Sequence, residues 1–382
     1  METQKIQIGR HIKQLEGFSS FVPNPFPPKG ISKLPQNILA KADEARGVIG
    51  KLDGITHTLP DVDFFLNMFV KKDATSSAQI EGTKATIVDA IEKDAGVDTK
   101  KTDAEDILYY IKALSYGTER LKDLPLSLRL AKEIHDKLMT GARSTQPANP
   151  GEFRQKQNWI SGTSPFNALY VPPSVEEMGK SLTYFEKFLR EEKNFLPLIH
   201  IGLTHAQFET IHPFLDGNGR TGRLLITMLL CHRKLLERPV LFLSAYFRKH
   251  QKVYYSRLNG YHEGEVIAWL DFFLDGVIEI ANDSISISKE IRKLRDDDMV
   301  KVQSLAKRES ESGVLVLSRL FVNPIVSTRV IMNWTGFTRA GAQGVIDRFV
   351  KLGILRLKEE KENYDRTYIY SKYVDAFLKE NK

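Results

Sequence analysis

Apolar residues between 198 and 211 fall at helical spacing: Leu198, Ile199, Leu203, Ala206 and Ile211. The spacing resumes in Arg220-Thr-Gly-Arg-Leu-Leu-Ile-Thr-Met-Leu-Leu230, so the middle of the chain predicts two helices joined by a short polar corner. Helical periodicity also predicts elements near 36–53, 61–71 and 174–192, and it runs through most of 84–142, most clearly at Ile107-Leu-Tyr-Tyr-Ile-Lys-Ala-Leu114. Residues 265–308 read as one or two long helices. The pattern fails in residues 1–35. There Phe21-Val-Pro-Asn-Pro-Phe-Pro-Pro-Lys-Gly30 excludes helix and central strand, because proline removes donors and fixes φ. This stretch predicts an extended arm on the surface, held by Phe18, Phe21 and Phe26.

Two further breaks divide the chain. Gln146-Pro-Ala-Asn-Pro-Gly151 ends the early helices, and residues 152–173 predict two short strands around a turn rich in Gly, Ser, Pro and Asn. The last segment predicts short helices at 314–322, 327–335 and 338–352. Strands follow at 353–357 and 366–370, joined by the charged turn Lys358-Glu-Glu-Lys-Glu-Asn-Tyr-Asp365. Helix–turn–helix plus hairpin is a winged-helix pattern, with Thr338, Arg339, Gln343 and Arg348 on its recognition helix. The expected division is 1–100, 101–295 and 296–382, and the expected class is mainly α.

Composition changes little. At 42% hydrophobic and 27% charged, the 382 residues suit a globular protein of two or three domains. A net charge of +7 admits an acidic partner without demanding nucleic acid. Cys231 is the only cysteine, which excludes an intrachain disulfide, and its apolar run predicts a buried inert thiol. With no apolar stretch of membrane-spanning length and no signal-peptide pattern, a cytoplasmic location and no membrane partner are expected.

The corner itself carries the chemistry. His212-Pro-Phe-Leu-Asp-Gly-Asn-Gly-Arg-Thr-Gly-Arg223 packs an imidazole, a carboxylate, an amide and two guanidiniums among three glycines. Gly217-Asn218-Gly219 can take positive φ and turn successive N–H groups inward on an anion. The following helix would aim its free N–H groups and dipole at the same anion. Arg220 and Arg223, three apart, share its first turn and suit a polyphosphate. Asp216 is a hard oxygen ligand for the Mg²⁺ such a phosphate carries. His212 stands where a general base could deprotonate an attacking hydroxyl. Gly217, Gly219 and Gly222 also spell a dinucleotide fingerprint, but the stretch before them is helical where that fold needs a strand. His205, on the preceding helix, lacks partners at metal-site spacing and reads as packed. Ser77 and Glu81 lie at an i, i+4 spacing, with Gly82 after them allowing close backbone approach.

His-Pro-Phe-x-Asp-Gly-Asn-Gly-Arg-x-x-Arg resembles the signature of Fic-domain proteins, with every position filled. The resemblance implies a Fic-fold helical bundle with a β-hairpin flap, and transfer of AMP from Mg²⁺-ATP to a Ser, Thr or Tyr hydroxyl of a target protein or of the chain itself. It implies His212 as base and Asp216 as Mg²⁺ ligand. Gly217, Asn218, Gly219, Arg220, Thr221, Gly222 and Arg223 would hold the phosphates. Ser77-Ala-Gln-Ile-Glu81-Gly82 is similar to the family's inhibitory helix, whose Glu pairs with the second signature Arg, here Arg223. Inhibition would act in cis or across a homodimer. Asn158-Trp159-Ile160-Ser161 would be the flap edge that registers the target segment by strand addition. Tyr254 of Tyr254-Tyr255 would line the adenine and ribose pocket, with His262 where relatives often have Asn. The rival readings are AMP removal with Glu81 orienting water, phosphotransfer by the same fold, and a DNA-binding regulator that uses the site to sense nucleotide. Gly217 and Gly219 oppose phosphotransfer, since relatives that transfer phosphate replace glycines of this loop.

Overall fold

The computed structural model describes residues 5–31, 33–57, 62–94, 103–142, 149–190, 194–358 and 366–379. The architecture is mainly helical. An N-terminal hairpin, β1 (Gly9–Lys13) and β2 (Ser19–Pro23), opens the chain. Five helices follow: α1 (Gln36–His57), α2 (Val62–Ile80), α3 (Ile87–Asp94), α4 (Ala104–Arg120) and α5 (Leu128–Met139). Then come α6 (Val175–Arg190), α7 (Pro197–Ile211), α8 (Asn218–His232), α9 (Ser244–Lys249), α10 (Gln251–His262) and α11 (Val266–Gln303). The C-terminal part holds α12 (Lys307–Leu320), β3 (Ile325–Ser327), α13 (Thr328–Thr335), α14 (Arg339–Lys351), β4 (Arg356–Leu357), β5 (Thr367–Ile369) and α15 (Ser371–Leu378).

α7 is the central helix. Every residue from Leu198 to Ile211 is buried, so its apolar stripe is hard to distinguish along the sequence: all faces meet protein. Pro197 opens it in the first turn, where no backbone donor is lost. Trp269 on α11 is fully buried and donates Nε1–H to the Gly202 carbonyl (2.8 Å), holding α11 against α7. Gly202 permits that contact, since a Cβ there would meet Phe273 at 2.9 Å. α11 is one continuous helix of 38 residues, so it crosses the expected domain boundary at 295/296 unbroken. α1 packs along it and adds ion pairs from Lys41 to Asp271 and Asp275.

Three local expectations change. The proline-rich arm follows a true hairpin, paired antiparallel from Gly9↔Pro23 to Lys13↔Ser19. Pro23 closes β2 at its end, where proline costs no ladder donor inside the strand. Phe21 and Phe26 are buried and Phe18 is half-buried against Phe166. α2 runs well past residue 71, so Ser77 sits inside it. The segment expected as two flap strands forms one isolated antiparallel bridge, Ile160↔Tyr170. Its turn is organised instead by Asn167, whose Oδ1 accepts from the N–H groups of Thr163 (3.0 Å) and Ser164 (2.9 Å), and Pro172-Pro173 cannot extend the ladder.

The C-terminal part forms α12, α13 and α14 with an antiparallel sheet in the order β3-β5-β4. β3, with no alternation to mark it in the sequence, adds a strand to the two expected. Most of the charged turn, and residues 146–148 of the 146–151 break, lie outside the described residues. α15 packs on α2 and α11, with Phe377 edge-on to Phe69 (5.0 Å) and Tyr370 O–H donating to Asp298 (2.6 Å). Among the described residues no helix is long and apolar enough to cross a membrane. Cys231 is half-buried, with burial pushing its thiol up to about 12.

Candidate active site

The corner between α7 and α8 is built from two left-handed residues. His212 caps α7 at φ 49°, ψ 61°, and Gly217 precedes α8 at φ 77°. Glycine suits the second position, whereas a histidine at the first holds strain of about 1–2 kcal/mol. Asn218 and Gly219 are already helical. The expected cradle of three positive-φ residues is therefore a single left-handed glycine leading into a helix N-terminus, because Asn218 starts the α8 hydrogen-bond ladder.

Buried polar side chains lock this loop. Asn218 is 2% exposed and brackets Phe214, accepting from its N–H and donating to its carbonyl, both at 2.8 Å. The Asn218 side chain therefore ties the loop, and phosphate contact from this residue falls to its backbone. Asn158 donates to the same carbonyl (2.8 Å) and is buried, so it anchors the loop and presents no edge to a target. Arg154 is 1% exposed, and its guanidinium donates to the carbonyls of His212 (3.0 Å), Pro173 (2.5 Å) and Lys156 (3.3 Å). His135 lies stacked on Phe214 at 3.7 Å. Its Nδ1 accepts from the Gly151 N–H (2.9 Å), so its Nε2 carries the proton and donates to the Asp216 carbonyl (2.9 Å). Burial lowers His135 to about 4, which keeps that pattern at neutral pH.

His212 is positioned by this frame. Its Nδ1 lies 3.3 Å from the Glu209 carbonyl, an acceptor only, so Nδ1 bears the proton and Nε2 keeps its lone pair. Burial, with the Arg154 charge behind it, lowers His212 to about 4. The imidazole is thus neutral at pH 7 and able to accept a proton. Glu209 beside it is buried and pushed up to about 8 by that burial, against the pull of Arg223.

Asp216 Oδ1 accepts from its own loop at Gly217 N–H (2.6 Å) and lies 3.6 Å from Arg220. Among the described residues no cluster of three or more His, Cys, Asp or Glu could hold a metal alone. One carboxylate beside a helix N-terminus fits Mg²⁺, which usually takes one or two carboxylates and completes its shell with phosphate and water. Arg220 is 5% exposed, and its Nε is buried without a hydrogen-bond partner.

Arg223 points the other way, into α2. Its Nε donates to Ser77 Oγ (2.9 Å), and Nη2 donates to the Ser77 carbonyl (3.1 Å) and to Glu81 Oε1 (2.7 Å). Burial is the largest single influence and opposes its charge, but Glu81 together with Tyr254 and Tyr110 holds its pKa above the usual guanidinium value. Glu81 Oε1 also stands 2.5 Å from where a Cβ on Gly219 would be. The carboxylate therefore rests on the first turn of α8, at the place where the helix favours an anion. Gly82 has φ 92° and a Cβ there would meet nothing within 4 Å, so it is needed for its backbone conformation and not for close approach.

Other expected residues lie elsewhere. Thr221 is fully buried, and Gly222 lies against α7, since a Cβ there would strike Glu209 at 2.5 Å. Tyr254 is 1% exposed with its hydroxyl on His205 Nε2 (2.9 Å), a core position. His205 is packed as expected, its pKa lowered to about 3 by burial. Tyr255, not Tyr254, is the exposed member, its hydroxyl donating to the Ile80 carbonyl (3.4 Å). His262 bonds Thr210 Oγ1 (3.1 Å) and stacks on Tyr170 (4.0 Å), beneath the loop that holds Trp159, Ile160 and the exposed Ser161 at φ 59°. Of the would-be recognition residues, Thr338 caps α14, Gln343 bonds Thr328 and Asp347, and Arg348 pairs with Glu309 (3.4 Å). His135, Arg154 and Glu209 were missed. The Glu209/His212 i, i+3 spacing was the one available signal; the others are brought in from distant sequence.

Residues 39–119 match the model described as "Fic/DOC family N-terminal", and residues 125–230 match "Fic/DOC family". The curated "Protein adenylyltransferase Fic" of Culex quinquefasciatus is 30% identical over 207 residues, 52% of this chain and 38% of that protein. That of Drosophila grimshawi is 28% identical over 246 residues, 63% of this chain and 46% of that protein. The chain thus spans less than half the length of these relatives. A solved Fic family protein from Desulfovibrio desulfuricans aligns at TM-score 0.56 and 17% identity, covering 88% of this chain and 97% of that one. The solved C. elegans Fic-1 aligns at TM-score 0.51 and 15% identity, covering 66% and 73%. At these identities the structures speak for the fold alone.

Proposed function

We propose, on the premise that this chain carries the Fic/DOC N-terminal and Fic/DOC domains, that it transfers AMP from Mg²⁺-ATP to a protein hydroxyl and is restrained by Glu81. The observation that carries the transfer is a neutral His212 with a free Nε2, held at the mouth of a helix N-terminus flanked by Asp216, Arg220 and Arg223. The names of the curated relatives support the same reaction.

In the reaction, His212 Nε2 takes the proton of the target hydroxyl as its oxygen bonds to the α-phosphorus. The bond to the pyrophosphate oxygen breaks, and the negative charge on pyrophosphate meets the α8 N-terminus, Arg220 and Arg223. Asp216 would hold Mg²⁺, which offsets phosphate charge when bound. The frame of Asn158, Arg154 and His135 keeps His212 and Asp216 fixed, so no reorganisation is needed as charge moves. Glu81 supports the restraint: it takes the guanidinium that a γ-phosphate needs and sets a like charge on the same helix turn.

The arrangement of α12–α14 with β3-β5-β4 supports a winged-helix reading of the C-terminal part. Gln343 and Arg348 are engaged inside that part, which favours a packing role over DNA readout. The test of function is intact-mass spectrometry after incubation with ATP and Mg²⁺, using Glu81→Gly to lift the restraint. A gain of one adenylyl group per modified site is expected. A gain of phosphate would replace this reading with phosphotransfer, and no covalent change in a folded Glu81→Gly protein would end it.

A further inference from the structure

Glu209 stands three residues before His212, on the last turn of α7, and His212 meets it twice. His212 Nδ1 lies 3.3 Å from the Glu209 carbonyl and 3.9 Å from its side-chain Oε2. The other oxygen, Oε1, reaches towards α8, where a Cβ on Gly222 would stand 2.5 Å from it. The glycine leaves the space that the carboxyl fills. Packing alone does not account for an acid here. Oε1 is buried without a hydrogen-bond partner among the described residues. Arg223, the cation that acts on it, donates instead to Ser77 and Glu81. A buried carboxyl with an unmet oxygen costs stability, and one set beside a base calls for a functional explanation.

The charges around the pair come from four elements. Burial pushes the Glu209 carboxyl up to about 8; Arg223 on α8 acts against that rise, and Glu81 at the end of α2 adds to it. Tyr254 and Tyr255 on α10 are raised by burial, and His205 on α7 is lowered to about 3, so all three are uncharged at neutral pH. On the far side of His212, Arg154 opposes an imidazolium and Asp216 favours one, while His262 is neutral. Glu209 is therefore the acid whose ionisation falls nearest neutral pH at the Nδ1 side of His212.

We propose that Glu209 is the positioning residue of the general base: it keeps the imidazole with Nδ1–H turned inward, and its carboxylate offsets the imidazolium that forms during transfer. In that step Nε2 gains the hydroxyl proton, Nδ1 keeps its own, and Glu209 neither gains nor loses one. A carboxylate within about 4–6 Å of a histidine favours the charged ring. Nε2 is thus a stronger base with Glu209 ionised than with Glu209 protonated. The inference rests on the reading of His212 as base.

The test is an NMR titration of the full chain labelled at histidine, with the His212 signal assigned by its loss in His212→Gln. In wild type that signal is expected to move near pH 8 as Glu209 ionises, apart from its own titration near 4. Glu209→Gln keeps the shape and cannot ionise, so the step near 8 should vanish. Glu81→Gly withdraws a charge that keeps Glu209 protonated, so its step should come at lower pH. Transfer is then measured in Glu81→Gly, with and without Glu209→Gln, on both sides of that protein's own step. On the alkaline side Glu209→Gln is expected to lower kcat about tenfold with KM for ATP unchanged. On the acid side the two should run alike. A His212 signal with no step above the ordinary histidine value of about 6.5, or a step that survives Glu209→Gln, overturns the inference. So does a loss of kcat equal on both sides, which is what a merely structural role gives, or no loss on either side. If His212→Ala transfers at the normal rate, the base reading fails, while the NMR step still decides whether Glu209 acts on His212.

Discussion

The loop from His212 to Gly217 and the turn from Ile80 to Ala85 face each other across one guanidinium, and they are held in opposite ways. The loop is tied from beneath by His135, Arg154, Asn158 and Asn218, all buried, through hydrogen bonds to its backbone. The turn is held by Gln79, Gln251 and Tyr255, and the Glu81 side chain is 38% exposed. A buried acceptor that loses its donor costs about 1–3 kcal/mol, so the loop has no cheap alternative state. An exposed carboxylate that leaves Arg223 finds water at once. On the proposed reading, the machinery of transfer is built to stay, and the restraint by Glu81 is built to leave.

Removing the base should have the largest effect on rate. His212→Ala is expected to lower transfer by about 10²–10⁴-fold, with ATP binding retained because the imidazole meets the hydroxyl and not the phosphates. Single-turnover assays beside ATP calorimetry check this, and near-normal transfer would remove His212 from the mechanism. A cut in the frame should lower stability and rate together. Asn158→Leu leaves the Phe214 carbonyl without that donor and is expected to cost about 1–3 kcal/mol in denaturant unfolding. A neutral result would mean that Asn218 alone satisfies the Phe214 carbonyl.

Acidity sharpens the contrast from the loop side. With His212 lowered to about 4, its neutral form dominates from pH 6 to 8, and base loss begins only as pH falls towards 4. In the Glu81→Gly background, kcat/KM should show no acid limb centred near the ordinary histidine value of about 6.5. A limb there would contradict the burial of His212. The smallest effect belongs to the turn's other contact. Ser77→Ala removes one acceptor of Arg223 but leaves Glu81 in place, and should raise basal transfer only a few-fold, about 0.5–1.5 kcal/mol. Activation equal to that of Glu81→Gly would shift the restraint from the carboxylate to the hydroxyl.

Much of this was legible in the sequence for a physical reason. His212, Asp216, Arg220 and Arg223 sit within one short stretch, so spacing alone brings them to one corner. Glu81 was legible only through resemblance, because its partner is 142 residues away. The frame stayed hidden. Arg154 and His135 look like ordinary polar residues of a break and a helix, and only the fold places them under the loop. Tyr254 misled because a tyrosine pair carries no mark of which ring faces the core. The flap misled because an Asn-ordered turn and a strand turn share their residues.

The central claim is that one ion pair separates the locked loop from activity. Auto-AMPylation with labelled ATP at fixed Mg²⁺ tests it across wild type, Glu81→Gly, Arg223→Ala and the double variant. A charge-assisted hydrogen bond is worth roughly 1.5–3 kcal/mol. Glu81 is partly exposed, which sets the expectation near the lower end, about tenfold activation in Glu81→Gly. Arg223→Ala should show no gain, and the double variant should match it, because Glu81 acts through Arg223. A folded Glu81→Gly with activity equal to or below wild type, or a double variant as active as Glu81→Gly, would contradict the account.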